Sequence, residues 1–446
     1  MKKNLVRIGL LLGLIQLWMN LSAINKYWVG GNGNWDPTNT ANWSLTSGGS
    51  GGAPVPTFAD NVFFDINSGT ASVGLNATCQ CYNIDCTGFT GDLFGNQSLH
   101  VKGNFKLGSG MSFTFSGAIG FLGTSGTFTV TTNGIVINAQ IVFNGINGIW
   151  ILTDNLSCTG VDLELLNGTL NANNFNITVK NFYSSTVGSR TLIMGSGIWT
   201  LTGIGCVWDL SNSTNLNFNS NTSTIKITNN TASEKTTFQG GGLVYHNLWI
   251  ANNSTLANVI YGSNIFNEFK ADPGTILEFD AFQTQIVSLL TITGTASEHI
   301  KLNGVNGNQW TISVPNGLVC CDYLDLYNSV ATGGATFYAG ANSYDGGSNS
   351  GWIFSSCTTD IFDKGTDNLF KVYPNPTSGH FSIFLTDLPA EIIITDMIGR
   401  QIKKSQTYKN QLDFQLSNDG LYFIFIITNN GFRTEELIVN SCSSSQ

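Results

Sequence analysis

Few side chains in this sequence are spaced to do chemistry. Two carboxylate pairs stand at i and i+2, Asp162/Glu164 and Glu278/Asp280. On a β-strand such positions share a face about 7 Å apart, a separation that suits paired acid–base work on a glycosidic bond. The same spacing equally describes a solvated outer strand face. A polysaccharide lyase needs an Arg or Lys base beside acids that hold Ca²⁺ against an acidic sugar. Between residues 24 and 356 there is one arginine, Arg190, and the chain has no Asp-Asp pair. His100, His246, His299 and His380 are scattered through strand-like sequence. Gly48-Gly49-Ser50-Gly51-Gly52 has the form of a nucleophile elbow, but Pro54 and Pro56 follow where a helix would begin. Asp345-Gly346-Gly347-Ser348-Asn349 lacks the spaced carboxylates of a calcium loop. Cys79, Cys81 and Cys86 cluster, but the nearest histidine, His100, fits no zinc template. No catalytic residue, metal or cofactor is expected from these groups.

Trp28, Trp35 and Trp43 could stack on sugar rings. They also stand just before the first run of short strands, where exposed backbone edges need a cover. Capping is the reading we prefer.

The elements that must carry these residues are strands. From about Val62 to Phe354, short alternating runs such as Thr127-Phe128-Thr129-Val130 and Thr224-Ile225-Lys226-Ile227 are separated by Gly/Asn/Ser turns. Gly148-Ile149-Trp150-Ile151-Leu152-Thr153 recurs as Gly197-Ile198-Trp199-Thr200-Leu201-Thr202. Asn144-Gly145-Ile146-Asn147-Gly148 is echoed by Asn303-Gly304-Val305-Asn306-Gly307, each with a Trp soon after. Repeats of short strands indicate a solenoid or a propeller. Gly240-Gly241-Gly242 stands alone, whereas kelch-type blades would repeat such a motif. The expected fold is all-β: a right-handed parallel β-helix of about twelve coils, on the order of 60 Å long, with Asn side chains laddering between coils. If the 49-residue repeat is two coils, Cys158 and Cys206 lie at one angular position about 9.6 Å apart. That exceeds the roughly 7 Å limit between disulfide Cα atoms, so they should be unbonded core residues.

Lys2, Lys3 and Arg7, an apolar stretch from Ile8 to Leu21, and the small residues Ser22 and Ala23 read as a signal peptide over residues 1–23. The net charge of −9, and the lack of any basic residue between Lys106 and Lys180, argue against a nucleic-acid partner. Nine cysteines suit an exported chain, and the odd count leaves at least one unpaired within it.

A polar linker at 357–368 separates this passenger (24–356) from a module at 369–446. Strands read at Phe370–Tyr373, His380–Leu385, Glu391–Thr395, Gln411–Leu416, Leu421–Ile427 and Phe432–Val439. Six or seven short strands fit a small Ig-like β-sandwich. The module contains Val372-Tyr373-Pro374-Asn375-Pro376-Thr377-Ser378-Gly379, Ile394-Thr395-Asp396-Met397-Ile398-Gly399-Arg400 and Gly420-Leu421-Tyr422-Phe423-Ile424. Pro374 and Pro376 fix φ and remove donors at an edge strand, and Gly379 closes that turn. Asp396 and Gly399 suit a hairpin, and Gly420 precedes a strand whose Tyr422, Ile424 and Ile426 share one face.

These motifs, in this order, resemble the type A sorting domain of the type IX secretion system of Bacteroidetes. The resemblance implies recognition by the outer-membrane export machinery, with Pro374, Asn375, Pro376, Gly379, Asp396, Gly399, Arg400, Gly420 and Tyr422 as the motif residues. The family usually ends on a basic residue after the last strand. Here Glu435-Glu436 precede that strand's end, and Ser441 to Gln446, with Cys442, follow it. The opening Tyr27-Trp28-Val29-Gly30-Gly31-Asn32-Gly33-Asn34-Trp35 and the closing stretch from Ala335 to Trp352 resemble large exported β-helix proteins of the same phylum. The expectation is a non-enzymatic, adhesin-like surface or extracellular protein. Surface glycans or host and matrix ligands are its candidate partners. A carbohydrate-active enzyme or a carbohydrate-binding protein on the same fold is the alternative.

Overall fold

The computed structural model describes residues 23–229, 233–252, 254–357, 370–428 and 431–440. The signal peptide, Ala23 excepted, and the linker, Cys357 excepted, lie outside them. The chain divides into two compact units, up to Cys357 and from Thr358 onward.

The first unit is a β-solenoid of about 13 turns. Its strands form a 21-stranded and a nine-stranded sheet, with smaller sheets of four and three strands. Alternation makes the coil: inward residues stack on their like, one turn above another. Phe128 pairs with Trp150, Trp150 with Leu170, and Leu170 with Leu192. Phe121 stacks on Phe143 with ring centroids 4.7 Å apart, and Phe279 on Trp310 at 4.1 Å. The core is one continuous column of buried Ile, Leu, Val, Phe and Trp.

Asparagine does two jobs at the corners. Among the described residues, eight of the eleven non-glycine residues at positive φ are Asn, including Asn133, Asn173 and Asn215. Asn tolerates the left-handed region better than other L-residues. From there each side chain donates to a carbonyl of an earlier turn: Asn133 to Leu107, Asn173 to Leu152, Asn215 to Val187. Elsewhere Asn ladders as expected. Asn61 bonds to Asn25 at 2.9 Å, Asn83 to Asn61 at 2.8 Å, and Asn83 then accepts from the Asn104 amide.

The 49-residue repeat is not two coils. Across the repeat, register partners lie 19 to 26 residues apart, as in Leu163↔Phe182 and Trp199↔Ile225. The repeat therefore spans two turns and a fraction, and the fraction moves the motif to another face. Gly148 to Leu152 lies on the 21-stranded sheet, Ile198–Leu201 on the nine-stranded one. Cys158 and Cys206 likewise occupy different sheets. They are unbonded, but because they face different sides. Cys158 is buried, whereas Cys206 is only half-buried.

The first coil is closed by aromatics. Ile24–Trp28 pairs in parallel with Asp60–Phe63 and antiparallel with Trp43–Ser44. Trp28, Trp35 and Trp43 pack edge-to-face at 5.1–5.2 Å and onto Phe64, all buried. Rings so enclosed present no face to a sugar. Near the other end, Cys320 is disulfide-bonded to Cys357, with Cα atoms 5.3 Å apart. The last residue of the unit is thereby tied to its solenoid.

The second unit is built from two antiparallel sheets. One holds Phe370–Tyr373, His380–Leu385 and Gln411–Gln415; the other holds Gln401–Thr407, Ala390–Asp396, Gly420–Thr428 and Gly431–Val439. Phe381 and Ile383 from the first join Ile392, Ile394, Ile424 and Leu437 from the second in one core. Gln401–Thr407 is a strand that alternation does not announce, because its polar sequence lies largely exposed at a sheet edge.

Candidate functional site

On the solenoid the two carboxylate pairs share one outer sheet. Rung by rung the register passes from Glu164 through Tyr183 to Asp209. It passes separately from Thr237 through Val259 to Glu278 and Asn303. Asp162/Glu164 and Glu278/Asp280 are therefore several turns apart and form no common groove. Each carboxylate already has a partner on one of its oxygens. Glu164 accepts from Gln140 at 2.6 Å and Asp162 from Asn181 at 2.9 Å. Glu278 pairs with Lys235 at 2.6 Å, and Asp280 accepts the Gly262 amide at 3.0 Å.

Sequence spacing hides the grouping around Tyr183, because the rungs there differ in length. Burial pushes its phenol up to about 12, and the charges of Asp162, Asp209 and Glu164 push the same way. A phenol so held stays protonated and donates to the Cys206 carbonyl at 3.0 Å. It is a brace between turns and offers no base.

Arg190, the passenger's one arginine, points into the solenoid and is 1% exposed. Its guanidinium donates to the carbonyls of Thr186, Asn212 (2.9 Å) and Thr214 (3.0 Å). It clasps the loops of neighbouring turns and has no path to a substrate.

The remaining candidates are dispersed. His100 is half-buried and stacks on Phe58, and His299 bonds Asp325 at 2.8 Å. His246 is half-buried and His380 exposed. Cys79, Cys81 and Cys86 are buried free thiols, and burial drives each upward in pKa. They sit on the inner side, while His100 pairs with the outward-facing Gln80. Ser50 lies in an irregular loop with no following helix. Asp345 accepts from the Gly347 amide and the Asn349 side chain, which makes a closed turn. Among the described residues no group of three His, Cys, Asp or Glu side chains is arranged to hold a metal.

In the second unit the motif residues build the sandwich. Phe370–Tyr373 stops at Pro374, on a sheet edge. Asn375 then reads the backbone of the last strand: its amide donates to Glu436 O, and its oxygen accepts Ile438 N at 3.1 Å. Thr377 continues the contact, giving its amide to Ile438 O and taking that of Asn440, both at 2.8 Å. The segment thus covers the outer edge of Gly431–Val439, which would otherwise present unpaired groups. Gly379 has φ +118, and a Cβ there would meet Leu416 O at 2.6 Å, so only glycine fits. Gly420 opens the next strand opposite Val439. Tyr422, nearly buried, donates from its hydroxyl to Asn418 O at 3.0 Å and so ties the strand to the preceding loop.

Asp396 organises a hairpin tip. Its carboxylate accepts Ile398 N at 3.2 Å, Arg400 N at 2.9 Å and Arg400 Nε at 3.0 Å. Gly399 completes the turn at φ +78. Glu435 and Glu436 are exposed on the last strand, and Ser441 to Gln446 lie outside the described residues.

A two-sheet antiparallel sandwich closed by these motifs defines an export module. Residues 371–440 match the family model of the secretion system C-terminal sorting domain. The second unit is a type IX sorting domain, which implies a Bacteroidetes origin and interaction with the type IX secretion machinery. The chain is thus exported to the cell surface or extracellular space. No curated protein and no solved structure matches the chain.

Proposed function

We propose that the solenoid is a non-catalytic, adhesin-like surface element, delivered across the outer membrane by its sorting domain. The observation that carries this reading is the fate of Arg190 and the four paired carboxylates. Arg190 and one oxygen of each of these carboxylates bond to another turn. The ring that would best serve a sugar binder is similarly occupied. Trp249 sits half-buried between Lys226 and Lys270, whose ammonium groups lie 3.9 and 4.2 Å from its centroid. Contact with surface glycans or matrix ligands therefore falls to the broad outer faces of Asn, Thr and Ser.

The test is a glycan array and a polysaccharide-degradation panel run on the full exported protein. Binding without turnover is expected. Turnover that disappears in Asp162→Ala or Glu278→Ala would overturn the non-catalytic reading.

A further inference from the structure

Most of the sorting motif is consumed by the fold. Asn375 and Thr377 cover the last strand, Gly379 admits Leu416, and Tyr422 ties a loop. Two stretches keep exposed side chains: Tyr373 to Pro376, with Tyr373 62% exposed, runs along the edge that Asn375 closes, and the second stands at a hairpin tip. At the tip of the hairpin between Ala390–Asp396 and Gln401–Thr407, Met397 is 69% exposed and Ile398 85%, the highest value among the large apolar side chains of the described residues. A turn favours Asn, Asp, Gly and Ser at such positions, so two adjacent apolar residues serve the turn poorly. Exposed apolar side chains held together mark contact surfaces. The tip is also rigid, because Asp396 fixes the backbone on both sides of it. Arg400 frames it with a side chain 74% exposed, bonded through Nε to Asp396 and turning its terminal nitrogens to solvent.

We propose that Met397 and Ile398, framed by Arg400, are the surface by which the sorting domain docks on the outer-membrane export machinery. The matching surface on the machinery is an apolar pocket for two side chains with an acidic or carbonyl rim for the guanidinium. Preorganisation by Asp396 lowers the ordering cost of this contact. Elsewhere in the domain Tyr408 is comparably exposed, at 83%, but it stands alone at the opposite end of Gln401–Thr407.

The inference rests on the sorting-domain reading, and the experiment separates the two. The full chain is expressed in a type IX-competent host as wild type, as Met397→Ser/Ile398→Ser, as Tyr408→Ser, and lacking residues 369–446. Surface and periplasmic amounts are compared, with limited proteolysis to confirm that each sorting domain is folded. The double variant should lower the exported-to-periplasmic ratio about tenfold while remaining folded. Tyr408→Ser should export as wild type. Normal export of the double variant, or equal impairment by Tyr408→Ser, overturns the docking tip while the sorting reading stands. Normal export of the deleted chain overturns the sorting reading itself.

Discussion

The solenoid and the sorting domain are both all-β, yet they spend their polar side chains in opposite ways. In the solenoid each polar residue repeats a job done by its neighbours: Asn83 bridges Asn61 and Asn104, as Asn61 bridges Asn25 and Asn83. In the sorting domain each does a job done once: Asn375 alone reaches both Glu436 O and Ile438 N, and Asp396 alone organises its tip. A repeating ladder tolerates exchange at any rung, so what persists is a texture. A unique closure cannot be exchanged, so it leaves a motif. This accounts for a family match confined to residues 371–440.

The largest expected effect separates the two units altogether. Removing residues 369–446 should leave the passenger in the periplasm, folded and with Cys320–Cys357 formed, since that bond lies within the first unit. Fractionation followed by non-reducing mass spectrometry checks both points. A misfolded passenger would mean the units are less independent than their contacts indicate.

Next comes the one place where the solenoid behaves like the sorting domain. Arg190 is unique, and Arg190→Met would leave the Asn212 and Thr214 carbonyls without their donor. A hydrogen bond to a charged group contributes about 1.5–3 kcal/mol, so a loss of roughly 3 kcal/mol is expected. Stacked repeats contact only their neighbours, so the loss should stay local. Hydrogen exchange should therefore rise in residues 186–216 and remain unchanged near the first coil.

Two asparagines then set the regions side by side. Asn375→Ala removes two surface hydrogen bonds at the edge of Gly431–Val439 and should cost the sorting domain about 2 kcal/mol as one cooperative unit. Asn83→Ala removes its bonds to Asn61 and Asn104, and the loss of about 1 kcal/mol should stay within the neighbouring rungs. Chemical denaturation of the full chain, followed by protection of each unit, distinguishes them. Equal losses would erase the contrast between ladder and closure.

The sequence showed the fold class plainly, because inward alternation survives any irregularity of turn length. It misplaced the repeat for the same reason. Turn lengths that run from 19 to 31 residues in this part of the coil detach sequence spacing from angular position, so Cys158 and Cys206 look equivalent and are not. The gathering of Asp162, Glu164 and Asp209 about Tyr183 was hidden in the same way. In the sorting domain Asp396 was legible as a turn residue and Asn375 only as a member of the motif. Their backbone partners were not, since Glu436 and Ile438 lie some sixty residues away. Gln401–Thr407 was missed because an exposed edge strand carries no buried face to alternate.

The smallest effect concerns a single ring on a single rung. His100 stacks over Phe58, and Lys102 places its ammonium 4.6 Å from that same phenyl ring. Partial burial lowers the His100 pKa below 6.5, because the imidazolium loses solvation there. The unfolded chain then takes up a proton before the folded one does. Above pH 6.5 both forms are neutral and the residue adds no pH dependence. As pH falls below 6.5 the unfolded state is favoured, and the loss levels off once the folded-state pKa is passed. Wild type should therefore lose stability between neutral and mildly acidic pH more steeply than His100→Gln. Thermal melts of the two proteins across that range decide it. Parallel curves would mean the ring is solvated enough to titrate as it does in an unfolded chain. The contrast between internally committed and outward-facing side chains would then weaken at the one solenoid histidine where burial sets the pKa.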